Sequence, residues 1–179
     1  MTEYYKNDLV NILPHNSFGA EIGVWKGEFS QLIFEHINPK MLYLVDPWKF
    51  IKEHEGSWHG GGIAMNQEDM DKIYSNVYDM FKEKNNVHIL RIFSNELESF
   101  IKPNCLDWTY IDGNHRYEAV LNDLNTSFNL VKKGGLITGD DFEMNNDIDL
   151  ALTEFLRDNN KVELISKSNR TRQFVIKIL

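Results

Sequence analysis

One short segment near the start of the sequence constrains the fold more than any other. The apolar run over residues 18–22 leads into two glycines four positions apart, in the pattern Glu21-x-Gly23-x-x-x-Gly27. A helical pattern with a period near 3.6 residues follows at once, carried by Phe29, Leu32, Ile33, His36 and Ile37. Strand, glycine turn and helix in this order are typical of an open α/β sheet. In such sheets this turn faces the crevice outside the carboxyl ends of the strands, where ligands bind.

The glycine spacing differs from the dinucleotide fingerprint, which requires G-x-G-x-x-G. Glu21 stands before the first glycine, where it would repel a pyrophosphate and would suit a ligand that carries positive charge. Gly23 is predicted to let the backbone approach that ligand closely, and Gly27 to open the following helix without a side chain in the way. A purely structural turn between strand and helix is the alternative interpretation.

Strand and helix patterns alternate along the rest of the chain. Further strands are predicted at 41–45, 87–92, 106–111, 136–138, 162–166 and 173–178, and further helices at 70–81, 95–101, 117–131 and 148–156. This alternation predicts a mostly parallel sheet with helices on both faces, closed by a C-terminal antiparallel hairpin. The length of 179 residues suits one domain over 1–179. Within it we expect a helical extension over 1–17 and a lid-like loop over 47–68.

Acidic residues follow several of the predicted strands. Asp46, Asp112 and the pair Asp140 and Asp141 come directly after apolar runs, as does Glu21 within its own strand end. Because the carboxyl ends of parallel strands share one edge of a sheet, we expect these acids to gather there. Clustered carboxylates repel one another strongly at low dielectric. The pattern therefore predicts a cationic ligand and a metal ion at this edge.

Three residues are predicted to bind a nucleoside. Asp46 follows the second strand, where an acid binds ribose hydroxyls in nucleotide-binding α/β domains, although an Asp-Pro turn or a helix cap is the alternative. Trp48 is placed to lie on an adenine ring, with ordinary loop packing as the alternative. Ser94 follows the third strand, and it either meets the base or ribose or caps the helix after it.

The most specific signature has two parts, DWTYIDGNHRYE over 107–118 and GGLITGDD over 134–141. Together they resemble the small metal-dependent O-methyltransferases, both the catechol-type enzymes and the macrolide sugar O-methyltransferases. The glycine segment is similar to the first motif of class I S-adenosylmethionine-dependent methyltransferases, the larger family to which these enzymes belong. The resemblance implies a Rossmann-like, doubly wound sheet of seven strands, one of them antiparallel. It also implies a cofactor site made of Glu21, Gly23, Gly27, Asp46, Trp48, Ser94 and Asp112.

Carried over by position, the resemblance makes Asp112, Asp140 and Asp141 ligands of a divalent cation. Three hard oxygen donors favour Mg²⁺, whereas the alternative for the Asp140–Asp141 pair is a capped turn. His115 stands three residues beyond Asp112 and is the candidate catalytic base for a substrate hydroxyl. A metal ligand or a structural histidine remains the alternative for that residue.

These patterns predict methyl transfer from S-adenosylmethionine to a hydroxyl of a small molecule, either sugar-like or catechol-like. The alternatives are a non-catalytic domain that binds S-adenosylmethionine, a Rossmann-type nucleotide-dependent oxidoreductase, and a metal-dependent hydrolase. The net charge of −8 argues against nucleic acid as the main partner. Without a long apolar run or a signal peptide, we expect no membrane partner and a cytoplasmic location. A homo-oligomer in which a second subunit completes the site remains open.

Overall fold

The computed structural model describes residues 9–52, 64–142, 146–168 and 172–179. Seven strands are present in these ranges: β1 (Phe18–Ile22), β2 (Met41–Val45), β3 (Val87–Leu90), β4 (Leu106–Ile111), β5 (Val131–Gly139), β6 (Val162–Ser168) and β7 (Gln173–Ile178). The α-helices are α1 (Glu28–Ile37), α2 (Gln67–Phe81), α3 (Tyr117–Leu130) and α4 (Asn146–Asp158), and a 3₁₀ helix spans Ser94–Ser99.

The strands form one sheet in the order β3-β2-β1-β4-β5-β7-β6. Strands β1 to β5 are parallel to one another, and β7 runs antiparallel to both β5 and β6. The chain builds outward from β1 to β3 and then returns to the other side of β1 with β4. The reversal between β1 and β4 is the topological switch point, where open α/β sheets bind ligands. The predicted fold class is confirmed.

Helices cover both faces of the sheet. One face packs against α1, α2 and the buried side chains of Leu9, Val10 and Leu13. The other face packs against α3, α4 and the 3₁₀ helix. The apolar stripes read from the sequence are the buried faces of these helices, as the four buried residues of α2 illustrate: Met70, Ile73, Val77 and Phe81. None of the described helices is both long enough and apolar enough to cross a membrane.

The boundary between α3 and β5 differs from the prediction. The helix ends at Leu130, and β5 already begins at Val131, which pairs with Leu106 of β4. Gly134, with φ of 80°, therefore lies inside the strand, where the pairing of β4 with β5 shifts register. The glycine supports this irregularity instead of ending the helix.

The predicted loop over 47–68 ends earlier than expected, because α2 begins at Gln67 and is capped by the Asn66 side chain. The start of this loop is also held in place. The Gln67 side chain accepts a hydrogen bond from the Phe50 amide (2.9 Å) and donates one to the Trp48 carbonyl (2.9 Å). Residues 53–63 of the proposed lid lie outside the described residues. In the N-terminal extension, Leu9 and Val10 are helical, and residues 1–8 lie outside the described part.

Candidate active site

The ends of β1, β4 and β5 bring the predicted acids to one edge. The Asp112 amide donates to the Ile22 carbonyl of β1 (2.8 Å), and the Asp140 amide donates to the Ile111 carbonyl of β4 (3.1 Å). Each acid thus follows directly after its own strand, and these two strands, β4 and β5, are neighbours in the sheet. The parallel register of these strands is what turns residues about thirty positions apart into neighbours.

Asp112, His115 and Asp141 form the tightest group of possible metal-binding side chains in the described structure. His115 Nε2 lies 3.7 Å from Asp112 Oδ1 and 3.3 Å from Asp141 Oδ2. One donor atom from each residue lies within 4.8 Å of the others. Burial lowers the pKa of His115, but the two carboxylates raise it by more, so that it lies above its ordinary value. The neighbouring carboxylates therefore favour the protonated form of the imidazole.

Asp140 and Asp141 diverge although they are adjacent. Asp141 adopts a left-handed backbone conformation, with φ of 58°, and its carboxylate faces His115. Asp140 instead accepts hydrogen bonds from the Tyr110 hydroxyl (3.1 Å) and from the Asp141 amide (3.0 Å). The structure thus groups His115 with two of the three predicted ligands and turns the third, Asp140, toward other donors.

Tyr110 is a site residue that the sequence reading missed. It lies on β4, two positions before Asp112, is fully buried, and packs against Phe29 of α1 with ring centroids 4.4 Å apart and the rings tilted by 50°. Its hydroxyl lies 3.1 Å from Asp140 Oδ2 and 3.3 Å from Asp112 Oδ2. Burial and the neighbouring carboxylates raise the pKa of Tyr110 well above its ordinary value. The neutral phenol therefore stays available as a donor between the two acids.

The conformation and the packing of the backbone at position 23 require a glycine there. Gly23 has φ of 93°, and a Cβ at this position would lie 2.1 Å from the Asp112 carbonyl oxygen. Gly23 is predicted to let the backbone approach a ligand closely, and the close approach seen here is to the backbone at the end of β4. Gly27, with φ of 77°, is the N-cap of α1, as predicted. A Cβ at Gly27 would lie 3.3 Å from Val77 of α2, so this glycine also permits close helix packing.

Glu21 lies beneath the surface of the edge. It is only 1% exposed and accepts a hydrogen bond from the Ser30 hydroxyl in the first turn of α1. The positive end of the α1 dipole favours a carboxylate at this place. The contact of Glu21 with a cofactor stays a prediction. Because the side chain is buried, it has no exposed surface for a direct contact with a cofactor in this conformation.

Asp46 holds two strained turns together. Its Oδ2 accepts the Trp25 amide (3.0 Å) and its Oδ1 accepts the Trp48 amide (2.7 Å). Both tryptophans have positive φ, 54° and 39°, which is rare for bulky residues. Burial raises the pKa of Asp46, and these amide hydrogen bonds oppose the rise. The Asp-Pro turn left open by the sequence is present, while ribose binding stays a prediction.

Trp48 has a packing role in this structure. It is 0% exposed, its indole nitrogen donates to the Trp25 carbonyl (2.8 Å), and its ring packs against Tyr74 of α2 with centroids 5.1 Å apart. An indole enclosed in this way has no open face for an adenine. In this conformation Trp48 has the loop packing that was its alternative, and stacking on an adenine stays a prediction.

Ser94 does not cap the 3₁₀ helix, because Phe93 occupies the N-cap position. Its side chain hydrogen-bonds instead to Asp123 of α3, a residue that the sequence reading did not single out. Asp123 is 2% exposed on a helix face that is otherwise packed against the sheet. A polar residue within an apolar helical stripe is the signal that could have identified it.

A small pocket lies beside the acidic group, between the end of β4 and helices α3 and α4. It is lined by the polar residues Asp112, His115 and Asp140 and by the apolar residues Ile111, Val120, Ile148 and Phe174.

Comparisons with solved structures agree with this fold. A candidate rRNA methylase from Clostridium thermocellum matches with a TM-score of 0.65 at 13% identity, covering 98% of this chain and 96% of that one. The O-methyltransferase NovP matches with a TM-score of 0.65 at 17% identity, covering 99% and 78%. SMU.1697c from Streptococcus mutans, solved with S-adenosylhomocysteine, matches with a TM-score of 0.63 at 13% identity, covering 97% and 94%. The architecture is that of the class I S-adenosylmethionine-dependent methyltransferases.

Residues 20–142 match the methyltransferase-domain family, and the chain belongs to that family. The uncharacterized protein R132 of Acanthamoeba polyphaga mimivirus is 29% identical over 128 residues, which make up 69% of this chain and 51% of that protein. The chain thus spans about half the length of this relative. The predicted family resemblance is confirmed.

Proposed function

We propose that this chain transfers a methyl group from S-adenosylmethionine to a hydroxyl oxygen of a small molecule, assisted by a divalent cation. The observation that carries the proposal is the meeting of Asp112, His115 and Asp141 beside the switch point of the sheet. Family membership supports methyl transfer in general. The choice of oxygen and of a cation depends on this cluster.

The cofactor is proposed to lie across the ends of β1, β2 and β3. S-adenosylmethionine supplies the methyl group on a positively charged sulfonium, which an acidic edge favours. The oxygens of Asp46 each accept one backbone amide, yet an ionised carboxylate offers about four lone-pair sites. Asp46 can therefore accept ribose hydroxyls without releasing either turn. Ser94 stands at the neighbouring strand end, on the side where the base would lie.

The donor set fits a divalent cation. Asp112 and Asp141 would hold the ion through carboxylate oxygens, and Asp140 could join them through the lone pairs that its hydrogen bonds from Tyr110 and Asp141 leave open. A cation there would lower the pKa of a substrate hydroxyl and fix its direction. Carboxylates alone suit Mg²⁺, whereas an imidazole in the set would shift the preference toward an ion such as Mn²⁺.

His115 is proposed as the base that accepts the hydroxyl proton. It is 18% exposed and lines the small pocket, and its Nε2 faces both carboxylates. These carboxylates would stabilise the imidazolium that forms after proton transfer. Methyl transfer also requires the oxygen, the methyl carbon and the sulfur to lie in line, so the main task of the chain is to position the two substrates.

Calorimetric titration of the metal-stripped protein with S-adenosylhomocysteine, repeated with Mg²⁺ and with Mn²⁺, tests the proposal first. We expect micromolar binding, followed by methylation of catechols or hydroxylated sugars when acceptors are screened with S-adenosylmethionine. The Asp141→Asn variant should lose the metal response. Asp79→Asn, which changes an exposed acid on α2, should keep it.

Two results would contradict the proposal in different ways. If S-adenosylhomocysteine fails to bind in every condition, the chain is not an active methyltransferase. If amines are methylated and hydroxyls are not, methyl transfer stands and the assignment to oxygen is wrong.

A further inference from the structure

Asp123 is a buried acid that the proposed chemistry does not use. Its Oδ1 atom has no hydrogen-bond partner within the described residues, and the side chain is 2% exposed. Burial raises the pKa of this carboxyl to about 6, although the Ser94 and Asn122 side chains lower it in part. A buried carboxyl group with an unpartnered oxygen destabilises a fold. Packing alone therefore gives no reason for an acid at this place.

Two loops at the strand ends lie close to Asp123. A methyl group placed on Gly113, the residue after Asp112, would lie 3.5 Å from Asp123 Oδ2, so the Gly113 backbone lies next to the carboxyl. On the other side, Ser94 opens the 3₁₀ helix that follows β3 and hydrogen-bonds to the same group. One side chain of α3 thus contacts both the loop after β3 and the loop after β4.

These two loops flank the position proposed for the nucleoside. Strands β3 and β4 lie on opposite sides of β1 and β2 in the sheet, so their loops are not held together by direct pairing of these two strands. The contact that Asp123 makes with both loops is one way in which the fold can fix the distance between them. The Asn129 side chain, which donates to Glu98 (2.9 Å), joins α3 to the far end of the 3₁₀ helix and strengthens the same connection.

We propose that Asp123 is a positioning residue for the nucleoside half of the cofactor. By holding Ser94 and Gly113, it sets the separation of the two loops between which the base and ribose bind. Asp123 itself does not touch the cofactor. This inference rests on the proposed function, because it requires S-adenosylmethionine at the strand ends.

The test compares Asp123→Ala and Asp123→Asn with Ser127→Ala. Ser127 is the matched control because it lies one turn further along the same buried face of α3, and its Oγ also has no hydrogen-bond partner within the described residues. S-adenosylhomocysteine and adenosine are each titrated into the wild-type protein and the variants, and melting temperatures are measured in parallel. We expect Asp123→Ala to bind both ligands about tenfold more weakly, the size of a lost hydrogen bond to a charged group. Ser127→Ala should bind like the wild type.

A double-mutant cycle separates positioning from a general loss of stability. If Asp123 acts through Ser94, the double variant Ser94→Ala/Asp123→Asn should bind no more weakly than the weaker single variant. Additive losses would overturn the inference, as would wild-type affinity in both Asp123 variants. Should Asp123→Ala fail to fold, Asp123→Asn decides the question, because its side chain has nearly the same volume. If the wild-type protein itself fails to bind S-adenosylhomocysteine, the proposed function fails, whatever the variants do.

Discussion

The acid at the end of β2 and the acids at the ends of β4 and β5 lie on the same edge of one sheet, but they are stabilised by different kinds of donor. Asp46 accepts the backbone amides of Trp25 and Trp48. At the other position, Asp112 and Asp140 share the Tyr110 hydroxyl, while Asp112 and Asp141 both face His115. A backbone amide in a fixed turn stays in place, whereas a hydroxyl or an imidazole can turn away by rotation of its side chain.

This difference separates an acid held by fixed backbone donors from acids held by side-chain donors that can rotate. Through the Trp25 and Trp48 amides, Asp46 fixes the position of the glycine turn relative to the Asp-Pro turn. The β4–β5 region, by contrast, holds charged groups whose donors a ligand can replace. A carboxylate that follows a strand can thus be stabilised either by fixed backbone amides or by side chains that can rotate. The donors that the fold supplies at that place decide which of the two applies.

Gly23→Ala is expected to have the largest effect, since Gly23 is where the two regions touch. Its Cβ would overlap the Asp112 carbonyl in addition to the positive φ, so we expect a loss of more than about 3 kcal/mol in the free energy of unfolding, or no folding. Gly134→Ala is the control, because it has φ of 80° with nothing within 4 Å of the added Cβ. It should lose only about 1 kcal/mol. Equal losses in urea denaturation would show that the contact between the regions is unimportant.

The buried Asp123 carboxyl gives the next largest effect, and it depends on pH. Its pKa is raised from 3.8 to about 6 on folding, so the folded state retains the proton more tightly. The wild-type protein therefore loses stability as the pH rises from about 4 to about 6, by an amount near 3 kcal/mol for this group. Asp123→Asn removes this dependence.

The measurement is the free energy of unfolding of both proteins between pH 4 and pH 8. The difference between Asp123→Asn and the wild type should shift in favour of the variant as the pH rises through this range. A difference that stays constant would contradict the burial of an acid at this position.

Asp46→Ala and Asp141→Asn should separate the two regions directly. Asp46→Ala leaves two backbone amides without an acceptor and should lower the free energy of unfolding by about 2 kcal/mol. Asp141→Asn keeps a residue type that tolerates positive φ and should change it by less than about 0.5 kcal/mol. Calorimetry with Mn²⁺ should show the reverse order, with binding lost in Asp141→Asn and kept in Asp46→Ala. If Asp46→Ala lost metal binding and Asp141→Asn kept it, the metal would depend on the acid after β2, which is the opposite of what we expect.

Tyr110→Phe should have a smaller effect on stability than Asp46→Ala. It removes the donor that Asp112 and Asp140 share, for an expected loss of about 1 kcal/mol in the absence of metal. A divalent cation would replace that donor, so saturating Mg²⁺ or Mn²⁺ should stabilise the variant more than the wild type. Thermal unfolding with and without metal measures both quantities. The same loss in both conditions would assign Tyr110 to packing alone.

Much of the fold could be predicted because its signals are local. Apolar periodicity located all seven strands and the buried stripes of α1 to α4. The pattern failed at the α3–β5 junction, where Val131 belongs equally well to a helical stripe and to a strand. Its pairing with Leu106 on another strand settled the matter in favour of the strand.

The sequence by itself determined that the acids would gather at one edge, since each follows an apolar strand in an alternating α/β chain. Only the tertiary structure decided what each acid does there. Asp46 meets the Trp25 amide across 21 positions, and Asp140 meets the Tyr110 hydroxyl across 30. Hydrogen bonds over such separations depend on strand order and register, and these are set by the packing of the whole sheet, which no local pattern records.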